Sequence, residues 1–411
     1  METKDVIIIG GGPAGLAAAV VLKRRGVDDI LIIEREKQLG GILRQCIHDG
    51  FGLIRFQEAL SGPEYAQRYI DEADALGIDR LTDTAVLDLQ PNKVVTAVSR
   101  QGLIQIRAKA VILAMGCRER TRGALAIPGA RPSGIYNAGV AQNYVNLQNT
   151  MVGKRIIIVG SGDIGMIMAR RLSLEGAQVL AVFEIMPYAS GLPRNVEQCL
   201  NDYNIPLYLS HSIVRIHGTE RITGVTVAQV DGNLKPVPGT ERDFNCDTLI
   251  FSVGLIPENE LSRSADVALD PRTHGAVVDE YLRTSVDGVF AAGNVLHVHD
   301  LVDYVSMEAE AAAEAVAEYL KTGTLPASEI PVVAGPDIGH VIPQVVSGGH
   351  DFLLSLRVQR PMENCKICVT QNGKEVASVK MVKATPAEMI QINVPAWKLA
   401  KGHALEVKVC A

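Results

Sequence analysis

The sequence predicts an α/β chain with two parallel-sheet units, followed by a small C-terminal β-sandwich. A glycine-punctuated strand–turn–helix pattern occurs twice, near residues 5–22 and 154–172. Strands ending in glycine bracket the second copy, at 110–116 and 248–254. After residue 325 the hydrophobic period changes from helical to alternating.

At 411 residues the chain has room for two or three domains, since a domain usually takes about 100–200 residues. Hydrophobic residues make up 47% and charged residues 21%, with ample material for a core. A net charge of -6 argues against nucleic acid or an anionic membrane as the main partner. Aromatics at 4% leave little for base-stacking platforms. The strand from Asp5 to Ile9 comes too early to leave space for a charged leader, so no export signal is expected. The longest apolar run, Val6–Leu22, is short for a membrane span and is broken by Gly10, Gly11, Gly12 and Pro13. Seven scattered cysteines fit a reducing cytoplasm better than a disulfide framework.

The segment "DVIIIGGGPAGLAAAVVL" reads as a buried strand, a glycine turn and an alanine-rich helix, with Gly10, Gly12 and Gly15 in G-x-G-x-x-G spacing. The first glycine permits the tight turn, the second lets the backbone approach a pyrophosphate, and the third packs the helix on the strand. The helix N-terminus then offers N–H groups to phosphate. The next strand, "ILIIE", ends at Glu34, roughly the 20-residue offset of an acid that grips a ribose hydroxyl. "KRIIIVGSGDIGMIMARRL" repeats the pattern with Gly160, Gly162 and Gly165, and "AQVLAVFE" ends at Glu184. One fingerprint is weak evidence, but two with their acids in place define two Rossmann-like dinucleotide-binding units. The "IMPY" that follows Glu184 has no Arg or Lys for a 2′-phosphate, which favours NAD at the second site.

"TSVDGVFAAGN" adds a strand ending at Gly293–Asn294, ahead of the helix "MEAEAAAEAVAEYL". In this order the motifs resemble the pyridine-nucleotide flavoprotein reductases of glutathione-reductase type, over about residues 5–325. The resemblance implies an NAD domain inserted into an FAD domain. It divides the chain into 1–120 (FAD, first part), 121–270 (NAD, with hinges), 271–325 (FAD, second part) and 326–411 (C-terminal domain). It also implies FAD contacts at Gly10, Gly12, Pro13, Ala14, Gly15, Glu34, Arg35, Gly41, Val86, Ala114, Gly116, Gly293, Asn294, Asp300 and Leu301. NAD contacts are implied at Gly160, Gly162, Asp163, Ile164, Gly165, Glu184 and Gly254. Two positions depart from the pattern. Asn294 stands where an Asp usually meets the ribitol chain, and Ile167 where disulfide-reducing relatives commonly carry a Glu near the nicotinamide.

In those relatives, the helix after a Gly-Gly carries a C-x-x-x-x-C pair that faces the flavin. The corresponding helix-like stretch here, "LGGILRQCIHDGFG", has Cys46 alone, so a dithiol reductase is not expected. Gln45, Cys46 and His48 are instead expected to wall the second flavin face, with His48 the better proton handler. Catalysis through a Cys46 sulfenic acid would need a depressed thiol pKa. By resemblance, the helix starting near Asp300–Tyr304 aims its N-terminus at the flavin. His297 and His299 just precede it, but no third ligand lies nearby in sequence, so no metal is expected.

Longer strings, "GGILRQCIHDGFGL" and "GNVLHVHDLVDYV" among them, are similar to FAD/NAD-linked oxidoreductases that accompany glycerol-3-phosphate dehydrogenases. "GIYNAGVAQNYVN" resembles, more distantly, the FAD/NAD subunits of heteromeric sarcosine, proline and octopine oxidases. The resemblance implies an electron-transfer subunit beside a substrate-oxidising partner, in a homo- or hetero-oligomer. The alternatives are a stand-alone NADH oxidase or peroxidase using Cys46, and a non-catalytic nucleotide sensor.

In the tail, Phe352, Leu354, Leu356 and Val358 alternate on one face, and Asn372–Gly373 signals a hairpin. Leu405, Val407 and Val409 alternate in the last strand, with Cys410 on its polar side. Cys365 and Cys368, three apart on a strand, fall on opposite faces and read as neither metal nor redox pair. The domain suits assembly more than catalysis.

Overall fold

The computed structural model describes residues 2–410. One compact unit comprises the residues up to Cys117 and those from Pro257 onward, and a second comprises Arg118–Ile256. The family resemblance puts these boundaries at 120/121 and 270/271. The return falls earlier because residues 257–270 already bond to the first unit: Asn259 Nδ2 donates to Val295 O (2.9 Å) and Ser264 Oγ to Leu89 O (3.2 Å).

In the first unit, the strand Glu2–Ile9 lies between Ile30–Ile33 and Gly102–Leu113, parallel to both. Asp79–Leu81 and Val289–Ala291 extend the sheet in parallel, and the ribbon of Ala85–Leu89 and Val94–Ser99 adds antiparallel strands. Val6, Ile7, Ile8 and Ile9 are all buried, as expected of a parallel strand covered on both faces. The helix Pro13–Arg24 packs against the long helix Val302–Thr322, with the small side chains of Ala17, Ala18, Ala309, Ala312 and Ala313 all buried. Gly15 brings the first helix onto its strand: a Cβ there would lie 1.8 Å from Gly10 O.

The second unit repeats the plan. Its parallel sheet runs, in spatial order, Leu207–Tyr208, Gln178–Phe183, Arg155–Val159, Thr248–Phe251 and Ile135–Asn137. The helix Asp163–Leu174 follows its glycine turn, and a three-stranded antiparallel sheet spans His211–Asn245.

From Ile330 onward, a five-stranded and a three-stranded sheet share one core that includes Leu354, Leu356, Ile367, Val369, Leu405 and Val407. This is the expected β-sandwich. Asn372 (φ 52°) and Gly373 (φ 74°) both adopt positive φ and join Met362–Gln371 to Lys374–Ala384 in a hairpin. One pairing in this domain is not anticipated by the sequence. Cys368 and Cys410 form a disulfide, with Cα atoms 6.1 Å apart. Cys368 pairs with Lys408, and Lys366 with Cys410, so the two cysteines are diagonal neighbours on one face. That register is invisible in cysteine spacing.

Gly15→Ala is expected to destabilise the chain by about 1–3 kcal/mol, because the added methyl overpacks against a backbone carbonyl. Equilibrium urea unfolding checks it.

Candidate nucleotide sites

The two fingerprints close on their acids in the same way. Glu34, 6% exposed, accepts hydrogen bonds from Gly11 N (2.7 Å) and Glu36 N (2.8 Å). Glu184, 4% exposed, accepts from Ser161 N (2.9 Å) and Met186 N (2.9 Å), and also from the Ser161 and Ser190 hydroxyls (2.6 and 2.7 Å). Each acid thus bonds the residue after the first glycine and the residue two beyond itself. The clasp holds a carboxylate beside the glycine turn, where a ribose would meet it.

The helix Pro13–Arg24 starts with no side-chain cap and no acid in its first turn, so its N–H groups are directed at an incoming anion. Near it, some of the residues implied by resemblance approach one another in pairs. A Cβ on Gly10 would meet Ala114 O at 2.4 Å, one on Gly12 would meet Gly41 Cα at 3.9 Å, and one on Gly293 would meet the Ala14 methyl at 3.0 Å. This glycine-lined cradle fits a pyrophosphate. Gly116 (φ 74°) follows the strand that ends at Leu113, Arg35 is exposed, and Val86 sits half-buried on the ribbon. In the second unit, Gly254 (φ 104°) follows the strand ending at Phe251, and Ile164 and Ile167 are half-buried. The helix Asp163–Leu174 also lacks a side-chain cap. The Asp163 carboxylate is engaged within the unit by Leu192 N (2.8 Å) and Asn195 Nδ2 (2.6 Å).

The stretch read as helix-like is a single 3₁₀ turn, Gly41–Gln45, entered through positive φ at Gly40 (105°) and Gly41 (54°). Beyond it the chain is irregular to Ser61. Gln45 is buried, and His48 stands against Phe51 with ring centroids 5.0 Å apart. Cys46 is half-buried, and its Sγ donates to Ile42 O at 3.4 Å. Desolvation pushes this thiol up to about 12, opposite to the shift that a nucleophilic thiolate needs.

On the loop Gly293–Asp300 the structure assembles a network that sequence reasoning missed. Glu308, from the long helix, accepts Gly293 N at Oε1 (2.7 Å) and faces His297 Nε2 (2.7 Å) and His299 Nε2 (3.4 Å) with Oε2. The two imidazoles hold its carboxyl well below the usual range against the burial that opposes it. His297 is 1% exposed, and burial lowers its pKa, with Glu308 opposing. The signal for Glu308 was its register, three residues after buried Val305 and one before buried Ala309. Glu308 is the third ligand-type side chain whose absence argued against a metal, so that ground no longer holds. The His297–Glu308 separation of 2.7 Å is that of a hydrogen bond, whereas the His299–Glu308 separation of 3.4 Å is close to the roughly 3.3 Å that tetrahedral zinc ligands would take.

Asn294 is tied into the loop by its side chain. Its Oδ1 accepts His299 N (3.0 Å) and faces His299 Nδ1 (3.2 Å), while Nδ2 donates to Cys117 Sγ (3.7 Å). An aspartate could not donate to that sulfur and could only accept from its thiol. Asp303, buried in the first turn of the long helix, receives Ile54 N (3.4 Å) and Arg55 N (3.3 Å).

Two nucleotide units of this geometry define a two-dinucleotide oxidoreductase. The chain belongs to the pyridine nucleotide-disulphide oxidoreductase family, whose model matches residues 4–318. Members use FAD and NAD(P)H. The chain is similar to the glutamate synthase [NADPH] small chain of Mycobacterium tuberculosis, at 26% identity over 80% of this chain and 70% of that one. It is also similar to the thioredoxin reductase of Streptomyces clavuligerus, at 27% identity over 76% of this chain and 90% of that one. Among solved structures, the thioredoxin reductase of T. acidophilum shares the fold with a TM-score of 0.64, at 24% identity over 77% of this chain and 99% of that one. Among the described residues, no helix is long and apolar enough to cross a membrane.

Burial beside His297, Arg357 and His299 pushes His340 down to about 3. Between pH 7 and 5 the unfolded ring takes up a proton that the folded ring refuses, so acid favours unfolding. His340→Asn is expected to reduce the loss of stability over that range by about 1–2 kcal/mol. Urea unfolding of both proteins at the two pH values checks it.

Proposed function

We propose that the chain is an FAD-containing, NAD(H)-linked oxidoreductase that exchanges electrons with a substrate-oxidising partner. The observation that carries this reading is the acid–glycine clasp beside an uncapped helix, present once in each unit. The first-unit cradle would hold FAD through Gly10, Gly12, Pro13, Ala14, Gly15, Glu34, Gly41, Ala114, Gly116, Gly293 and Asn294. The second-unit clasp would hold NAD through Gly160, Gly162, Ile164, Gly165, Glu184 and Gly254, with Asp163 engaged through its backbone. When bound, FAD supplies the redox chemistry, exchanging a hydride at N5 with nicotinamide C4.

The chain's own residues then orient and tune. The start of the helix Val302–Thr322, with Asp300 and Leu301 before it, would set donors toward the pyrimidine side of the flavin. Gln45, Cys46 and His48 would wall the other face, with His48 handling protons. The rival oxidase or peroxidase reading needs Cys46 as a thiolate, and the desolvation of that thiol opposes it. A subunit role is consistent with the similarity to a protein named as a small chain. A glycerol-3-phosphate dehydrogenase-like partner rests on resemblance alone.

Steady-state NADH oxidation with an artificial electron acceptor tests the reading. NADH should be preferred over NADPH by at least about tenfold, since Glu184 repels a 2′-phosphate. Cys46→Ser should keep the rate within about twofold, as expected where a cysteine only packs. Rapid peroxide- or oxygen-dependent turnover abolished by that substitution would establish the rival reading instead.

A further inference from the structure

Beyond residue 318, where the family match ends, the C-terminal domain reaches back to the loop that precedes the long helix. Arg357, on the strand Phe352–Val358, donates from Nη2 to Val298 O (3.1 Å) and Asp300 Oδ1 (3.3 Å). Its Nη1 donates to Pro386 O (2.8 Å) and to Ala387 O. One guanidinium thus ties the loop Val298–Asp300 to two elements of the sandwich, a task that suits its planar fork and not a lysine's point charge. The pair is largely out of water, at 15% side-chain exposure for Arg357 and 8% for Asp300. A second contact runs alongside. His340 stands edge-on to His297 at 5.8 Å, on a strand that Arg272 holds by donating to Ile338 O (3.0 Å) and Gly339 O (3.2 Å).

Other charges near the loop are already matched. Glu308 is paired with His297 and His299, and Asp303 receives two backbone N–H groups. Asp300 depends on Arg357. If that guanidinium were lost, a poorly hydrated carboxylate would stand at the start of a helix whose N-terminus otherwise favours negative charge nearby.

We propose that the C-terminal β domain is a built-in tuning element for the flavin site, with Arg357 as its positioning residue. Arg357 neutralises Asp300 and holds the Val298–Asp300 backbone in place, which favours the reduced, more negative flavin. The proposal rests on the FAD reading above and assigns to this domain a role other than assembly.

The test poises the purified chain anaerobically at a fixed NADH:NAD⁺ ratio and reads the reduced:oxidised flavin ratio from the absorption spectrum. Arg357→Ala should lower that ratio about tenfold, and Asp300→Asn should raise it by a similar factor. The double variant should return close to wild type, and Arg357→Lys, which keeps the charge but loses the fork, should recover only part of the loss. A purely structural role predicts no such opposition of sign. Ratios unchanged in all variants, or lowered alike in all, would overturn the proposal while leaving bound FAD intact. If Arg357→Ala yields no folded protein, Asp300→Asn decides alone: a raised ratio supports the proposal, and an unchanged one overturns it. A wild-type chain purified without flavin would instead sink the FAD reading itself.

Discussion

The nucleotide units depend on one close approach. A helix can present its first N–H groups to a phosphate only if its start lies against the end of the preceding strand. At Gly15 the helix backbone comes so near Gly10 O that a methyl group would fall 1.8 Å from it. At Gly165 the corresponding distance to Gly160 O is 2.8 Å. Once the helix is seated, the turn above it turns an N–H outward, and Glu34 or Glu184 receives it. The acid therefore completes the turn and stands where a ribose would meet it. In the proposed binding mode, the pyrophosphate and ribose positions depend on the same contact.

A second constraint is buried charge. Carboxylates are rarely buried without partners, because leaving water costs several kcal/mol per ion. Glu308 meets that cost with two imidazoles and a backbone N–H, and Asp300 with a guanidinium. Of these groups, His297, His299 and Asp300 follow closely after Asn294, where the wider pattern has an acid. An amide there binds His299 and Cys117 without adding a further buried carboxylate to the loop. The substitution is coherent with its surroundings.

Local signals in the sequence were legible. The glycines, the strand-terminal acids, the Asn372–Gly373 turn and the alternation of Phe352–Val358 each depend on neighbours a few residues away. The structure places them as their chemistry requires. Features that depend on register between distant segments were not legible. Glu308 looks like a surface charge in an alanine-rich helix until the packing turns it toward His297. Arg357 and His340 look like ordinary strand residues until their sheet is placed on the 297–300 loop. The Cys368–Cys410 bridge depends on which residue of the last strand pairs with which of its neighbour. The stretch around Cys46 has helix-like composition, but positive φ at two successive glycines limits it to one tight turn. Beside it, desolvation raises the Cys46 thiol, a shift that no spacing reveals.

The most direct test of the central claim is an anaerobic titration of the purified chain with NADH, followed through the flavin absorption bands. Stoichiometric bound FAD that bleaches as NADH is added would show both nucleotide sites working together, as the account predicts. Bound FAD that stays oxidised at saturating NADH would contradict hydride exchange between the sites and leave a nucleotide-binding subunit without this activity.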